Sequence, residues 1–346
     1  MTSPSRLRLD GDALVANWCW LNRQSGSAVC GAAVKADGYG LGAHDVVARL
    51  AKAGCRDFFV ATWDEAVALG ALPTECALSV LHGVREEDMP VAVASSARPV
   101  LNTAAQVARW HETGLPCDVM IDTGMNRLGL SPSHHVAGLH IDTLMSHLAC
   151  ADENSAMNGA QLSAFAALSI PARRRSLANS AGICLGSDYA FDLTRPGLAL
   201  YGGVPRAEAL GNIAQVAYLE AQIVQRRRVS AGDSVGYGAT FVAARDTEIA
   251  ILNIGYADGY ARAFAGQGTA GDGRFAVLGR VSMDLIAIDV GAEPELGEGD
   301  WVNVDYDLPT ASAASGVSQY ELLTGLGARF ERVGHRKRAA HNVSGP

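Results

Sequence analysis

The chain has 346 residues, 49% of them hydrophobic and 18% charged, with a formal net charge of −8. That balance leaves no basic footprint for nucleic acid or an anionic membrane surface, and no stretch reaches the ~18 apolar residues of a membrane span. Met1–Asp12 carries Arg6, Arg8, Asp10 and Asp12 rather than a signal-peptide core, and the seven cysteines (19, 30, 55, 76, 117, 150 and 184) include no Cys-x-x-Cys pair. A cytoplasmic enzyme for a small molecule, with reduced cysteines and no zinc site, is the expectation.

In chain order, apolar runs fall at residues 28–34, 56–61, 77–81, 98–101, 117–122, 141–146, 174–178 and 190–200. Between them lie amphipathic stretches such as Ala43–Ala53, Trp63–Leu72, Thr103–Thr113 and Gly159–Ser169. This alternation predicts an α/β fold with a parallel sheet closed into a TIM-type (β/α)8 barrel over residues 1–212. From residue 213 the texture changes to longer β-rich runs at Ile213–Val229, Glu248–Ile254, Phe275–Leu278, Leu285–Val290 and Trp301–Val304. They predict a smaller, mostly β C-terminal domain over residues 213–346, with one helix at Ser318–Leu326 and a disordered basic tail at Gly334–Pro346.

The first apolar run ends on Lys35 and a glycine-rich turn, in Val34-Lys-Ala-Asp-Gly-Tyr-Gly-Leu-Gly42. A buried parallel strand there would deliver Lys35 to the carboxyl end of the barrel, where barrel enzymes do their chemistry. A desolvated lysine has a lowered pKa and forms a Schiff base with an aldehyde cofactor such as pyridoxal phosphate. Other polar groups follow other strands: Arg127 in Asp122-Thr-Gly-Met-Asn-Arg-Leu-Gly129, His147 in Ser146-His-Leu-Ala-Cys150, Asn179-Ser180, and Arg195 in Arg195-Pro-Gly-Leu-Ala-Leu-Tyr-Gly202. Tyr39, Ser180, Gly197 and Leu198 can supply the hydroxyls and backbone N–H groups that capture a phosphate. Singly, each has an ordinary structural reading as a cap, a salt-bridge partner or a satisfied core histidine. Together they converge on one barrel face.

The chain resembles the bacterial alanine racemases, from Lys35 in Val-Lys-Ala-Asp-Gly-Tyr-Gly to Tyr320-Glu-Leu-Leu. It shares Val235-Gly-Tyr-Gly-Ala-Thr-Phe241, Ile254-Gly-Tyr-Ala-Asp-Gly-Tyr260 and Gly279-Arg-Val-Ser-Met-Asp284. The resemblance implies a barrel that binds pyridoxal phosphate, a β domain, and a homodimer in which each site borrows residues from the partner's second domain. It also implies two-base racemisation, with Lys35 acting on D-alanine and Tyr237 of the other chain on L-alanine, since proton removal on one face and return on the other needs a base on each side. A phenol is a weak base at neutral pH, so His147 and Arg195 are implied as the groups that link it to the cofactor. By the same resemblance Lys35, Tyr39, His147, Asn179, Ser180, Arg195, Gly197, Leu198 and Tyr320 bind the cofactor. Arg127 and the backbone of Met283 contact substrate, and Tyr256 with Tyr237 narrows the entrance to a methyl-sized side chain. The product would be D-alanine for peptidoglycan. Met120 stands where many alanine racemases carry a carbamylated lysine that orients the site arginine, so the anion partner of Arg127 is missing. Two other readings stand beside this one: a racemase preferring serine or another small amino acid, and a non-catalytic pyridoxal phosphate protein that would not need the second domain.

Overall fold

A computed structural model describes residues 3–333. The chain divides into two compact units, Asp12–Gln215 and a second unit made of the residues through Gly11 together with those from Val216 onward. The first strand, β1 (Ser5–Leu9), belongs to the second unit.

The Asp12–Gln215 unit is entered through the helix Gly11–Gln24. Its strands are β2 (Val29–Cys30), β3 (Ala32–Ala33), β4 (Asp57–Val60), β5 (Ala77–Val80), β6 (Arg98–Leu101), β7 (Pro116–Met120), β8 (His140–Met145), β9 (Arg174–Ser176) and β10 (Leu193–Thr194). Strands β3 to β9 form one sheet in chain order, each pair parallel. β10 pairs in parallel with β2, while the Asp192 and Arg195 N–H groups donate to the carbonyls of Arg175 and Ala178 beside β9. β10 thus stands between β9 and β2 and draws the sheet into a ring. β2 and β3 are one extended run interrupted at Gly31, where a Cβ would stand 2.8 Å from the Asp57 carbonyl and 2.9 Å from the Phe59 ring. Every residue of β4 is buried, as expected of a strand covered on both sides. The outer helices start on side-chain caps: Thr62, Thr103 and Ser155 accept N–H groups at the heads of Trp63–Leu69, Ala104–His111 and Ala156–Ala166.

The amino-terminal end of the barrel is filled with charge. Arg174 on β9 lies 2.7 Å from Asp57 on β4 and 2.9 Å from Asp142 on β8. Arg98 on β6 lies 3.2 Å from Asp118 on β7 and 3.5 Å from Asp142. Because β4 and β9 are not neighbours in the ring, the Arg174–Asp57 bridge spans its interior. Burial disfavours the Asp142 carboxylate, but the hydrogen bond from Arg173 and the charges of Arg98 and Arg174 outweigh it and hold its pKa well below the usual range. Asp118 is fully enclosed and burial pushes it up, against the pull of Arg98 and the Ser79 hydroxyl that donates to it at 2.6 Å.

In the second unit the strands after β10 are β11 (Ala217–Val229), β12 (Ser234–Val235), β13 (Phe241–Val242), β14 (Thr247–Leu252), β15 (Thr269–Ala270), β16 (Phe275–Leu278), β17 (Ile286–Asp289), β18 (Trp301–Val304) and β19 (Glu331–Val333). The large sheet runs β14-β17-β16-β15-β18-β11-β1-β19, and β11 also pairs with β14. The long strand β11 makes this closure possible: its first half pairs with β18 and its second half with β14, with a register shift between Ile223 and Gln225. One core cluster lies inside, comprising Val229, Val235, Ala243, Ile249, Leu278 and Ala287.

The assignment of residues 1–212 to the barrel and 213–346 to the β domain fails at the amino terminus. β1 pairs antiparallel with β11, from Ser5↔Ala221 to Leu9↔Ala217, and parallel with β19. The run 190–200 is strand only at Leu193–Thr194, because Pro196 lacks a donor and Gly197 opens a tight turn at Leu198–Tyr201. The helices Gly11–Gln24, Met89–Ala94 and Leu308–Ser315 have no counterpart in the sequence reading. The basic tail from Gly334 lies outside the described residues. Among the described residues no helix is long and apolar enough to cross a membrane, and no cluster of three His, Cys, Asp or Glu could hold a metal.

Removing Arg174 leaves the enclosed Asp57 without its cation, while Asp142 keeps Arg98 and Arg173; stranding one buried carboxylate costs roughly 3–5 kcal/mol. Arg174→Met is expected to lower the unfolding free energy by about that amount in urea titration. Adding Asp57→Asn should cost less than the sum of the two single changes; strict additivity would show that the cross-barrel bridge is energetically idle.

Candidate active site

Lys35 follows β3 at the carboxyl end of the ring. The residues after it coil left-handed: Ala36 (φ 52°, ψ 48°), Asp37 (φ 52°, ψ 51°), Gly38 (φ 64°, ψ 43°) and Tyr39 (φ 56°). Such a turn costs ~1–2 kcal/mol per residue that carries a Cβ, and it persists only where surrounding contacts fix it. Here the Asp37 carboxylate accepts the Ala43 N–H at 2.8 Å, and Glu65 accepts the Ala36 N–H at 2.8 Å. Burial lowers the pKa of Lys35, the neighbouring Arg127 charge lowers it further, and Glu65 opposes both.

Three more cationic or titratable groups follow strands at the same end of the ring. His147 follows β8, and burial drops its pKa from 6.5 to about 3, reinforced by the charges of Arg195, Arg127 and Lys35. Its carbonyl accepts from the Gln161 amide at 2.9 Å, while the other end of that amide accepts the Ala149 N–H. Arg195 follows β10 and is fully enclosed, which pushes its pKa down to about 10, countered by the field of Asp118. Its guanidinium donates to the Ser176 hydroxyl and, at 2.6 Å, to the Ser146 carbonyl. Arg127 sits on the loop after β7, which Asp122 folds by accepting the N–H groups of Gly124 (2.8 Å) and Asn126 (3.1 Å). Arg127 is exposed and, among the described residues, makes no ion pair, while Met120 is buried at the end of β7. A guanidinium without a carboxylate is thus left reaching solvent, where it is cheaply hydrated rather than stranded in the core.

Beside these groups lies an anion cradle. The Ser180 hydroxyl accepts the N–H groups of Gly197 (2.9 Å) and Ala199 (3.2 Å), and the Leu198 N–H has no acceptor among the described residues. A Cβ on Gly197 would run into the Tyr39 hydroxyl, so only glycine lets the two approach. Tyr39 is itself stacked on Tyr201, 4.7 Å between centroids. Asn179 turns the chain into this corner, its side chain accepting the Gly182 N–H at 2.9 Å. Two hydroxyls and a free backbone N–H around a glycine suit a phosphate, and a lysine of lowered pKa nearby suits an aldehyde, so these residues fit pyridoxal phosphate.

The second unit carries the remaining expected residues on tight turns. Tyr237 stands at the tip of the β12–β13 hairpin, 71% exposed, between Gly236 (φ 79°) and Gly238 (φ 72°). Tyr256 (39% exposed) and Met283 (53%) are held together: the Tyr256 and Ala257 N–H groups donate to the Ser282 and Met283 carbonyls at 3.1 and 3.0 Å. A Cβ on Gly255 would collide with both carbonyls. Arg329 clamps the same pair of turns through Asp258 at 2.8 Å and Asp284 at 2.7 Å. Tyr320 lies exposed on the helix Gln319–Thr324.

Residues 9–205 match the model of the alanine racemase N-terminal domain and residues 216–334 that of the alanine racemase C-terminal domain. The chain belongs to the alanine racemase family. An alanine racemase of Acidiphilium cryptum is 41% identical over 94% of this chain and 98% of its own length. One of Dinoroseobacter shibae is 43% identical over 94% and 97%. Among solved structures, the alanine racemase of Bartonella henselae with covalently bound pyridoxal phosphate superposes with a TM-score of 0.89 at 34% identity, over 97% of this chain and 100% of that one.

Several residues that shape this alanine racemase site were not anticipated from the sequence: Glu65, Gln161, Ser176, Asp258 and Arg329. Glu65 had the clearest signal, three residues after Thr62 at a helix start, but that pattern reads as ordinary capping.

The histidine pKa carries a sign. In the unfolded chain His147 takes a proton near pH 6.5, whereas folded it resists until about 3. Folding therefore loses stability as pH falls through that window, by ~1.4 kcal/mol per unit. Urea unfolding of the cofactor-free protein should show this slope in excess over His147→Asn; equal slopes would mean that His147 is hydrated in the folded state.

Proposed function

We propose that the chain interconverts L- and D-alanine with Lys35 and Tyr237 as opposed bases, and that Tyr237 comes from a second copy of the chain. The observation that carries the reading is the deprotonation-prone Lys35 amine at the barrel mouth beside an anion cradle built from Tyr39, Ser180, Gly197 and Leu198. Pyridoxal phosphate, when bound there, supplies the conjugated ring that acidifies the α carbon of the amino acid.

Each protein group then has a task that its surroundings explain. Lys35 holds the cofactor and exchanges the proton on one face of the α carbon, its lowered pKa easing release of that proton. Tyr237 exchanges the proton on the other face. Its exposure at a hairpin tip supports a part completed by another chain. His147, kept neutral, can both accept and donate hydrogen bonds, and so can support a phenolate without competing for its charge. Arg195, oriented by Ser146 and Ser176, stays protonated and donates only. Tyr320 adds a hydroxyl toward the phosphate. Arg127, with no carboxylate of its own, is free to meet the substrate carboxylate together with the Met283 N–H, which has no acceptor among the described residues. Tyr256, whose N–H donates to the Ser282 carbonyl while that of Ala257 donates to Met283, limits the side chain to about a methyl group. In this role the enzyme supplies D-alanine for peptidoglycan.

Incubation of L-alanine with the cofactor-loaded protein should approach a one-to-one mixture of enantiomers by chiral chromatography, faster than L-serine, and Lys35→Ala and Tyr237→Phe should each abolish it. Dissociating and mixing the two inactive variants should restore about one quarter of the sites, since half the random dimers are mixed and each has one intact site. No recovery on mixing would place both bases in one chain and sink the shared site.

A further inference from the structure

The turn that aims Lys35 is unusual in keeping four consecutive residues left-handed, three of them carrying a Cβ. Left-handed backbone is normally visited one residue at a time. Something outside the turn must hold it, and one side chain does so from a different element. Glu65 lies in the first turn of the helix Trp63–Leu69, whose Thr62 cap accepts the Glu65 N–H at 3.3 Å. Its two carboxylate oxygens are divided: Oε1 accepts the Ala36 N–H at 2.8 Å, and Oε2 accepts the Ala61 N–H at 2.7 Å. Ala36 is the residue after Lys35, and Ala61 the residue after β4. One carboxylate therefore ties the backbone beside the Schiff-base lysine to the rigid end of the neighbouring strand.

We propose that Glu65 is a positioning residue for Lys35, its divided carboxylate holding the left-handed turn that points the lysine amine into the site. The proposal rests on Lys35 being the base that serves the D enantiomer. Only a carboxylate provides acceptors on both arms; an amide provides one, and an N–H facing its NH2 end is left unpaired. The negative charge also supports the protonated amine after it has taken the substrate proton, in the same direction as its effect on Lys35. A helix cap alone would require neither the reach to Ala36 nor the second arm.

The test compares Glu65→Gln with Thr62→Ala, which removes the helix cap and leaves the strap. In the cofactor-free protein, amide hydrogen exchange at residues 36–42 should accelerate at least 10-fold in Glu65→Gln and stay near wild type in Thr62→Ala. In the loaded protein, the visible band of the lysine-bound cofactor should titrate at lower pH in Glu65→Gln. The kcat should fall roughly 10- to 100-fold with KM little changed, as expected for a misplaced reacting group. The α-deuterium isotope effect should rise for D-alanine, whose α proton Lys35 removes, and should not rise for L-alanine, whose α proton Tyr237 removes and Lys35 only replaces. Unchanged exchange and an unchanged band would overturn the proposal, as would equal changes in the two isotope effects. If wild type fails to racemise alanine at all, the reading of the active site falls, while exchange and band titration still decide whether Glu65 holds the turn.

Discussion

The rest of the barrel depends on how its interior is filled. A ring of short strands leaves a channel that side chains must occupy, and most barrels use branched apolar residues for this. Here the lower channel holds Asp57, Arg98, Asp118, Asp142 and Arg174 in contact with one another. Such an arrangement is weak as a source of stability, since desolvation consumes much of the Coulombic gain. Its strength is directional. Each charge has a partner only if the strands take one register, so a slipped strand would strand a charge. The lattice also reaches upward: the field of Asp118 supports the enclosed Arg195, whose direct partners are neutral oxygens.

The opposite end of the barrel is electrically one-sided. Lys35, Arg127 and Arg195 all bear on His147, and Arg127 bears on Lys35. Burial is the larger cause of the lowered lysine and of the histidine held neutral, and the neighbouring positive charges add to it. An anionic ligand there would be attracted by these charges. A carbamylated lysine at Met120 would have neutralised part of that charge within the chain; the buried thioether cannot. The net positive field is therefore larger here than a site with that lysine would have.

Much of this was legible from the sequence, and for a physical reason. The runs at 77–81 and 98–101 match β5 and β6, and Ala43–Ala53 is a helix over the same residues, because strands buried on both faces and helices with one apolar face leave strong periodicities. The β10 run was overextended because its apolar residues continue into a turn that is buried as well. β1 was missed because five residues that find their partners more than 200 positions away leave no local signal. The candidate site was legible as residue types at strand ends, and the family resemblance gave them roles. What the sequence could not show is the hydrogen bonding around them: Glu65 reaching Ala36, Gln161 reaching His147 and Arg329 joining Asp258 to Asp284 are all contacts between different elements or loops.

The pairing of β1 with β11 has a further consequence. Leu9 lies opposite Ala217, and the Asp10 N–H donates to the Val216 carbonyl at 2.8 Å, so the chain leaves and re-enters the β unit at adjacent points. On the barrel side, Asn17 bonds both ways to Ala214, holding the two ends of Asp12–Gln215 together as well. The barrel is thus an insertion within the β unit rather than a bead in front of it. On a ribosome, the barrel segment is finished and can fold while β1 waits unpaired, and the β sheet cannot close until the last third of the chain has emerged. A cut at the carboxyl side of the barrel would orphan β1, because its partner β11 lies beyond that cut.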